Sequence, residues 1–226
     1  MNRCIVRTGV VLLALIIVAP LRAEEPTADQ ALAQLKAGNV RFVEGKPTAR
    51  NLVERRTEVA AKQTPFAIVL TCADSRVAPE LVFDQGLGDV FVLRVAGNVV
   101  DPLELGSIEY AVEHLHTPLV VVMGHEKCGA IKTKLDGSPV NGNLAKLMEY
   151  VEIGPPGTGD AEANLAVAIQ QNVRGQVKAM TSRSQLIADF AKSQRIKIVP
   201  AVYSLTSGKV EWLSDAPRPI GAATAK

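Results

Sequence analysis

Two hydrophobic periods alternate along this chain. Phe66-Ala67-Ile68-Val69-Leu70-Thr71, Asp89-Val90-Phe91-Val92-Leu93-Arg94-Val95 and Pro118-Leu119-Val120-Val121-Val122-Met123-Gly124 are nearly unbroken apolar runs of strand length. Such runs suit parallel strands covered on both faces. Around them the period lengthens. Leu32, Leu35, Val40 and Val43 recur at helical spacing between Ala28 and Gly45, and Gly45 and Pro47 end that pattern. A more charged helix is predicted over Leu52–Lys62. Another is predicted over Leu103–His116, with Leu105, Ile108, Ala111, Val112 and Leu115 on one face. Strand and helix in alternation imply βαβ units and a parallel sheet.

Beyond Lys134, glycines and prolines break the chain around a short helix near Leu144–Val151. Long helices are predicted over about Ala161–Met180 and Ser184–Ser193. Lys197–Tyr203 has strand character, and Pro200 within it predicts an edge position. Ser207-Gly208 turns the chain into Lys209–Leu213, a hairpin partner. The fold class is therefore α/β: a mostly parallel sheet of about four strands plus an antiparallel edge strand, flanked by helices, with an N-terminal helical arm. One domain is expected over 24–226, with a loose tail rich in Pro, Ala and Gly from about residue 215.

The first 23 residues stand apart. Arg3 and Arg7 precede the apolar run Val10–Ala19, and Pro20-Leu21-Arg22-Ala23 supplies a breaker and a cleavage site. This is the outline of a secretory signal peptide. The run is shorter than the roughly 20 residues of a spanning helix, so no stable membrane association is expected after cleavage. The expected location is the periplasm or the exterior. Removing this segment leaves 203 residues carrying 22 basic and 23 acidic side chains. With that near-neutral balance and no basic block, nucleic acid is not an expected partner.

Two of the three cysteines remain, each inside a polar motif: Thr71-Cys72-Ala73-Asp74-Ser75-Arg76 and Gly124-His125-Glu126-Lys127-Cys128-Gly129. Both motifs follow predicted buried strands, and open parallel sheets bind ligands outside the carboxyl ends of their strands. Two thiolates and an imidazole are the ligand types of an open zinc site. A Cys72–Cys128 disulfide is the main competitor in an oxidising compartment, but it leaves His125 idle. A thiol nucleophile would need only one cysteine. Gly129 is expected to relieve crowding behind Cys128 and to offer its N–H to an anionic substrate oxygen.

Cys72-x-Asp74-Ser75-Arg76 with His125-x-x-Cys128-Gly129 resembles the signature of the β-class carbonic anhydrases. The resemblance runs from about Ala28 to Leu213 and takes in Arg94-Val95-Ala96-Gly97-Asn98 and Ala201-Val202-Tyr203…Gly208-Lys209-Val210. It implies Zn²⁺ held by Cys72, His125 and Cys128 and an Asp74–Arg76 dyad. It also implies a homo-oligomer, a dimer or dimer of dimers, with sites at the subunit interface. The implied reaction is reversible hydration of CO₂ to bicarbonate by a zinc-bound hydroxide. In some members the residue matching Asp74 becomes a fourth zinc ligand at lower pH. Two thiolates neutralise Zn²⁺ formally, so activity is expected to rise from about pH 7 to about pH 8.5. Gln85 lies near the position of a substrate-binding glutamine in plant-type members, one residue early. Phe83 and Tyr110 read as core residues more than as pocket lining, and His114 and His116 as helix residues more than as proton shuttles. Hydrolysis of CS₂ or COS on the same fold, or zinc or bicarbonate binding without catalysis, are the alternatives.

Overall fold

The computed structural model describes residues 26–155 and 157–214, so the expected signal peptide and loose tail lie outside the described residues. Strands β1 (Ala67–Thr71), β2 (Val90–Arg94), β3 (Leu119–His125), β4 (Lys197–Tyr203) and β5 (Val210–Trp212) form one sheet in the order β2-β1-β3-β4-β5. The first four are mutually parallel and β5 pairs antiparallel to β4. Because the chain leaves β1 for β2 on one side and returns to β3 on the other, a topological switch point lies between β1 and β3, and their carboxyl ends open there.

The helices are α1 (Ala28–Val43), α2 (Leu52–Glu58), α3 (Pro79–Val82), α4 (Pro102–Glu113), α5 (Gly129–Leu135), α6 (Gly142–Glu149), α7 (Ala161–Arg183) and α8 (Gln185–Lys192), with a 3₁₀ turn at Ala96–Asn98. Thr27 and Gln30 close a reciprocal capping box at the start of α1. Asp101 at α4, Asp160 at α7 and Ser184 at α8 accept first-turn amides in the same way.

Alternation along the central strands divides the core. Ala67, Val69, Val121 and Met123 face one layer with Leu35 of α1 and Phe83. Ile68, Leu70, Val120 and Val122 face the other, with Ile108 of α4, Val173 and Met180 of α7 and Ile187 of α8. Every residue of β1 and of β3 is buried, as their apolar runs predict. At about 1.5–3 kcal/mol for each fully buried aliphatic side chain, these two strands anchor the domain.

Two strand expectations are corrected. Val90, Phe91, Val92 and Leu93 of β2 are only partly buried, because β2 pairs with β1 alone and forms one edge of the sheet. Pro200 is not on an edge strand: β4 lies between β3 and β5. Its carbonyl accepts from the Leu213 amide, one residue past the end of β5. The N–H that proline lacks points the same way as its carbonyl, so the loss falls where the antiparallel ladder ends. The other predicted elements match their positions to within a few residues at the ends, with α2 ending at Glu58 and α7 running on to Arg183, whereas the short helices α3 and α5 had no predicted bounds.

Candidate metal centre

Cys72 follows β1 directly and His125 is the last residue of β3. The register pairs Thr71 with Met123, and the Thr71 hydroxyl donates to the Met123 carbonyl at 2.8 Å, so the two strand ends are held level. Gly124 allows α7 to close over this end. A Cβ there would lie 2.7 Å from Val173 Cγ2 and 3.2 Å from Ile169 Cγ2. After His125, the chain turns through Lys127, whose φ is +53°, and Cys128 becomes the N-cap of α5.

These elements bring Cys72 Sγ, Cys128 Sγ and a ring nitrogen of His125 within 4.8 Å of one another, all in buried residues. The sulfurs are 3.9 Å apart and both cysteines are free. Two thiolates on a tetrahedral Zn²⁺, each at about 2.3 Å, would be about 3.8 Å apart. The imidazole is oriented for the same centre. Its Nδ1 lies 2.8 Å from the Glu126 carbonyl, which places the proton on Nδ1 and leaves Nε2 as a lone-pair donor. That Nε2 is buried with no hydrogen-bond partner. A basic nitrogen left unpaired in a buried site between two thiols fits a thiophilic cation. The hydrogen bond from Cys128 draws the Cys72 thiol below its usual range, and the same contact, with burial, pushes Cys128 upward.

Asp74 and Arg76 stand beside these donors as the resemblance implies. Asp74 Oδ1 accepts from Arg76 Nε at 2.9 Å and from the Arg76 amide at 2.9 Å, and Oδ2 accepts from the Arg76 guanidinium at 2.7 Å. This bidentate contact holds the Asp74 carboxyl well below the usual range. Oδ2 also lies 3.8 Å from His125 Nε2, so the carboxylate faces the space between the donors.

Gln85 Nε2 donates to the Phe83 carbonyl at 2.6 Å, and its Oε1 lies 3.4 Å from Gln34 Nε2 of α1. Gly129 is exposed at the start of α5, and a Cβ on it would meet nothing within 4 Å, so steric relief behind Cys128 is not its role. Phe83 is fully buried in the core as expected, whereas Tyr110 is 47% exposed and is not a core residue. His114 and His116 are exposed, in keeping with the plainer reading.

Two contributions were missed from sequence. Arg94, at the end of β2, donates to the Asp74 carbonyl at 2.6 Å and to the Cys72 carbonyl at 3.4 Å, fixing the backbone that carries both side chains. A lone charge ending the apolar run Val90–Leu93 was the available signal, and the sheet sets it opposite Thr71. The Gly97 amide donates to Cys72 Sγ at 3.4 Å. Asn172 and Gln176 stand behind that turn. Polar residues four apart within the buried stripe Ile169, Val173, Met180 were the signal there.

Residues 67–210 match the family model described as carbonic anhydrase. The chain belongs to the carbonic anhydrase family. It is 41% identical over 181 residues to carbonic anhydrase 2 of Mycobacterium tuberculosis, covering 77% of this chain and 87% of that one. It is 42% identical over 188 residues to the carbonic anhydrase of Mycolicibacterium smegmatis, covering 80% and 90%. Among solved structures, the Coccomyxa β-carbonic anhydrase in complex with acetazolamide is similar with a TM-score of 0.64 and 30% identity, over 70% of this chain and 75% of that one. The fold is thus that of the β class.

Proposed function

We propose that this carbonic anhydrase hydrates CO₂ reversibly with a Zn²⁺ held by Cys72, His125 and Cys128. The observation that supports the reading is the unpaired, buried His125 Nε2, which faces two sulfurs 3.9 Å apart and the Arg76-held carboxylate of Asp74. Bound there, Zn²⁺ supplies Lewis-acid activation of water at neutral pH. Asp74, kept ionised by Arg76, would accept a hydrogen bond from a water at this centre and orient it toward CO₂. Arg94 holds the Cys72–Asp74 backbone so that carboxylate and thiolate keep their relative position. Val99, Ile131, Val151 and Ile169 pack around the cysteines and exclude bulk water from their far side.

Zinc analysis combined with stopped-flow CO₂ hydration tests this. The expected result is one zinc per chain, with turnover rising from about pH 7 to about pH 8.5. Stoichiometric zinc without turnover would overturn the catalytic reading. A Cys72–Cys128 disulfide in fully active protein would overturn the zinc site.

Homo-oligomerisation is part of the proposal. The β2 edge carries an apolar run, and Leu81 and Leu103 are 67% and 79% exposed on the isolated chain. An apolar edge strand left open invites pairing with a second copy. Light scattering should give a dimer or a dimer of dimers, and a monomer would remove this part. Export is proposed from residues 1–23 alone. An intact-mass measurement on protein expressed with its leader should find cleavage after Ala23.

A further inference from the structure

We propose that Asn172 and Gln176 are positioning residues that hold the Gly97 amide on the sulfur of Cys72 and so moderate how much charge this thiolate gives the metal. The inference rests on the zinc reading above, but its geometry is independent of any metal. Gly97 has a φ of +72° and Asn98 a φ of +45°, so the 96–98 turn sits in a conformation that needs support from outside itself. The support comes from α7. Asn172 Nδ2 donates to the Gly97 carbonyl at 2.8 Å. Gln176 Oε1 accepts from the Val100 amide at 2.8 Å, on the far side of the turn. The two side chains are joined by Gln176 Nε2 donating to Asn172 Oδ1 at 3.0 Å.

The amides are anchored in turn. Asn172 Oδ1 accepts from the Glu152 amide at 3.0 Å, and Gln176 Nε2 donates to the Tyr150 carbonyl at 2.8 Å. Both residues are 0% exposed, and their bonds to Gly97, to Val100 and to each other are buried, whereas the anchors at Glu152 and Tyr150 are partly buried. A buried amide pair spanning three segments is costly unless satisfied, and here the network is satisfied on both sides of the 97–100 turn. Gly97, whose carbonyl Asn172 holds, donates its own N–H to Cys72 Sγ at 3.4 Å.

The chemical effect follows from the ligand set. Two thiolates cancel the formal charge of Zn²⁺. An N–H bonded to one of them withdraws electron density from the sulfur, leaves more positive charge on the metal, and makes it a stronger Lewis acid. Asn172 and Gln176 thus act on the metal through a backbone amide without touching it.

The test uses the full-length protein loaded with Co²⁺, whose sulfur-to-cobalt charge-transfer band reports thiolate donation directly. Asn172→Leu and Gln176→Met remove the amides at similar volume. Both are expected to shift the band to longer wavelength and to lower kcat of the zinc form about tenfold with KM unchanged. Variants that bind Co²⁺ with the wild-type band would overturn the inference while leaving the zinc reading intact. Failure of the wild-type protein to give any thiolate–cobalt band would instead sink the zinc reading. Should both variants fail to fold, ¹¹³Cd-loaded wild-type protein decides. A scalar coupling between the Gly97 amide proton and ¹¹³Cd through Sγ is expected, and its absence, with other amides resolved, overturns the proposal.

Discussion

Asp74 and Asp84 lie ten residues apart, both are held below the ordinary carboxylate range by arginine, and they do different work. Asp74 is gripped by Arg76, two residues on, in one bidentate contact, with Oδ2 turned toward His125. Asp84 has a side chain only 2% exposed. Burial pushes its carboxyl up, but Arg50, Arg41 and Thr48 together bring it down. Arg41 and Arg50 each reach it at 2.5 Å, and the Thr48 hydroxyl donates at 2.8 Å. Every partner of the Asp84 carboxylate belongs to α1 or the segment after it, so this carboxylate ties them to the end of α3. A depressed pKa therefore does not mark the functional carboxylate. What marks Asp74 is an Oδ2 that faces His125 of the candidate donor set.

The comparison breaks first at those donors. Cys128→Ser should abolish zinc binding and with it all hydration, as read by metal analysis after chelator-free purification. Retention of stoichiometric zinc in this variant would mean that Cys128 is not a ligand. Asp74→Asn separates the carboxylate from the metal. It should keep its zinc, lose about 10²-fold in kcat, and shift the thermal midpoint only slightly, since Arg76 is 56% exposed and is re-solvated when its partner is lost. Unchanged kcat would remove Asp74 from the reaction.

Asp84→Asn should give the opposite signature. Two guanidinium groups, themselves 36% and 24% exposed, would lose a buried counter-charge. The expected cost is about 2–3 kcal/mol after discounting for that exposure, or a fall in Tm of roughly 5–10 °C, with kcat per zinc-loaded molecule preserved. The pH dependence has a definite sign. The folded value of Asp84 lies below its unfolded value near 3.8, so its contribution is complete above that pH and is lost as pH falls below it. The variant should therefore differ from the parent most at neutral pH and converge with it in acid. A constant gap would mean that the carboxylate charge is not what Asn removes.

The same pair shows what sequence could and could not reveal. Asp74 was legible because its partner and a candidate metal donor share one hexapeptide, and because the strand before it is an unmistakable apolar run. Asp84 was not, because its arginines lie 34 and 43 residues upstream and no local pattern joins them. Strand identity was equally legible for β1, β2 and β3, but the position of β2 at the sheet edge was not, since an apolar run says nothing about how many neighbours a strand has. Pro200 misled for a related reason. The rule concerns a lost N–H, and one lost at the end of a short β5 costs as little as one lost on an edge strand. Asn172 and Gln176 escaped notice because an apolar stripe absorbs two polar residues without losing its period.

The smallest expected effect concerns a third carboxylate with neither kind of support. Glu104 is in the first turn of α4, and its Oε2 is buried with no hydrogen-bond partner among the described residues. Burial, followed by the hydrogen bond and charge of Asp101, pushes it up to about 7. No arginine answers either group in the way that Arg76 and Arg50 answer Asp74 and Asp84. The sign is therefore reversed. With the folded value above the unfolded one near 4.5, the favourable contribution of neutral Glu104 is complete below about pH 4.5 and is lost as pH rises through about 7. Glutamine keeps the shape and cannot ionise. Glu104→Gln should thus match the parent in Tm near pH 5 and exceed it near pH 8. The gain should be on the order of 1 kcal/mol, because the opposite shift of Asp101 and partial solvent access offset the rest. Parallel Tm profiles across that interval would show that Glu104 ionises at its ordinary pH, and that the neighbouring Asp101 charge is already screened.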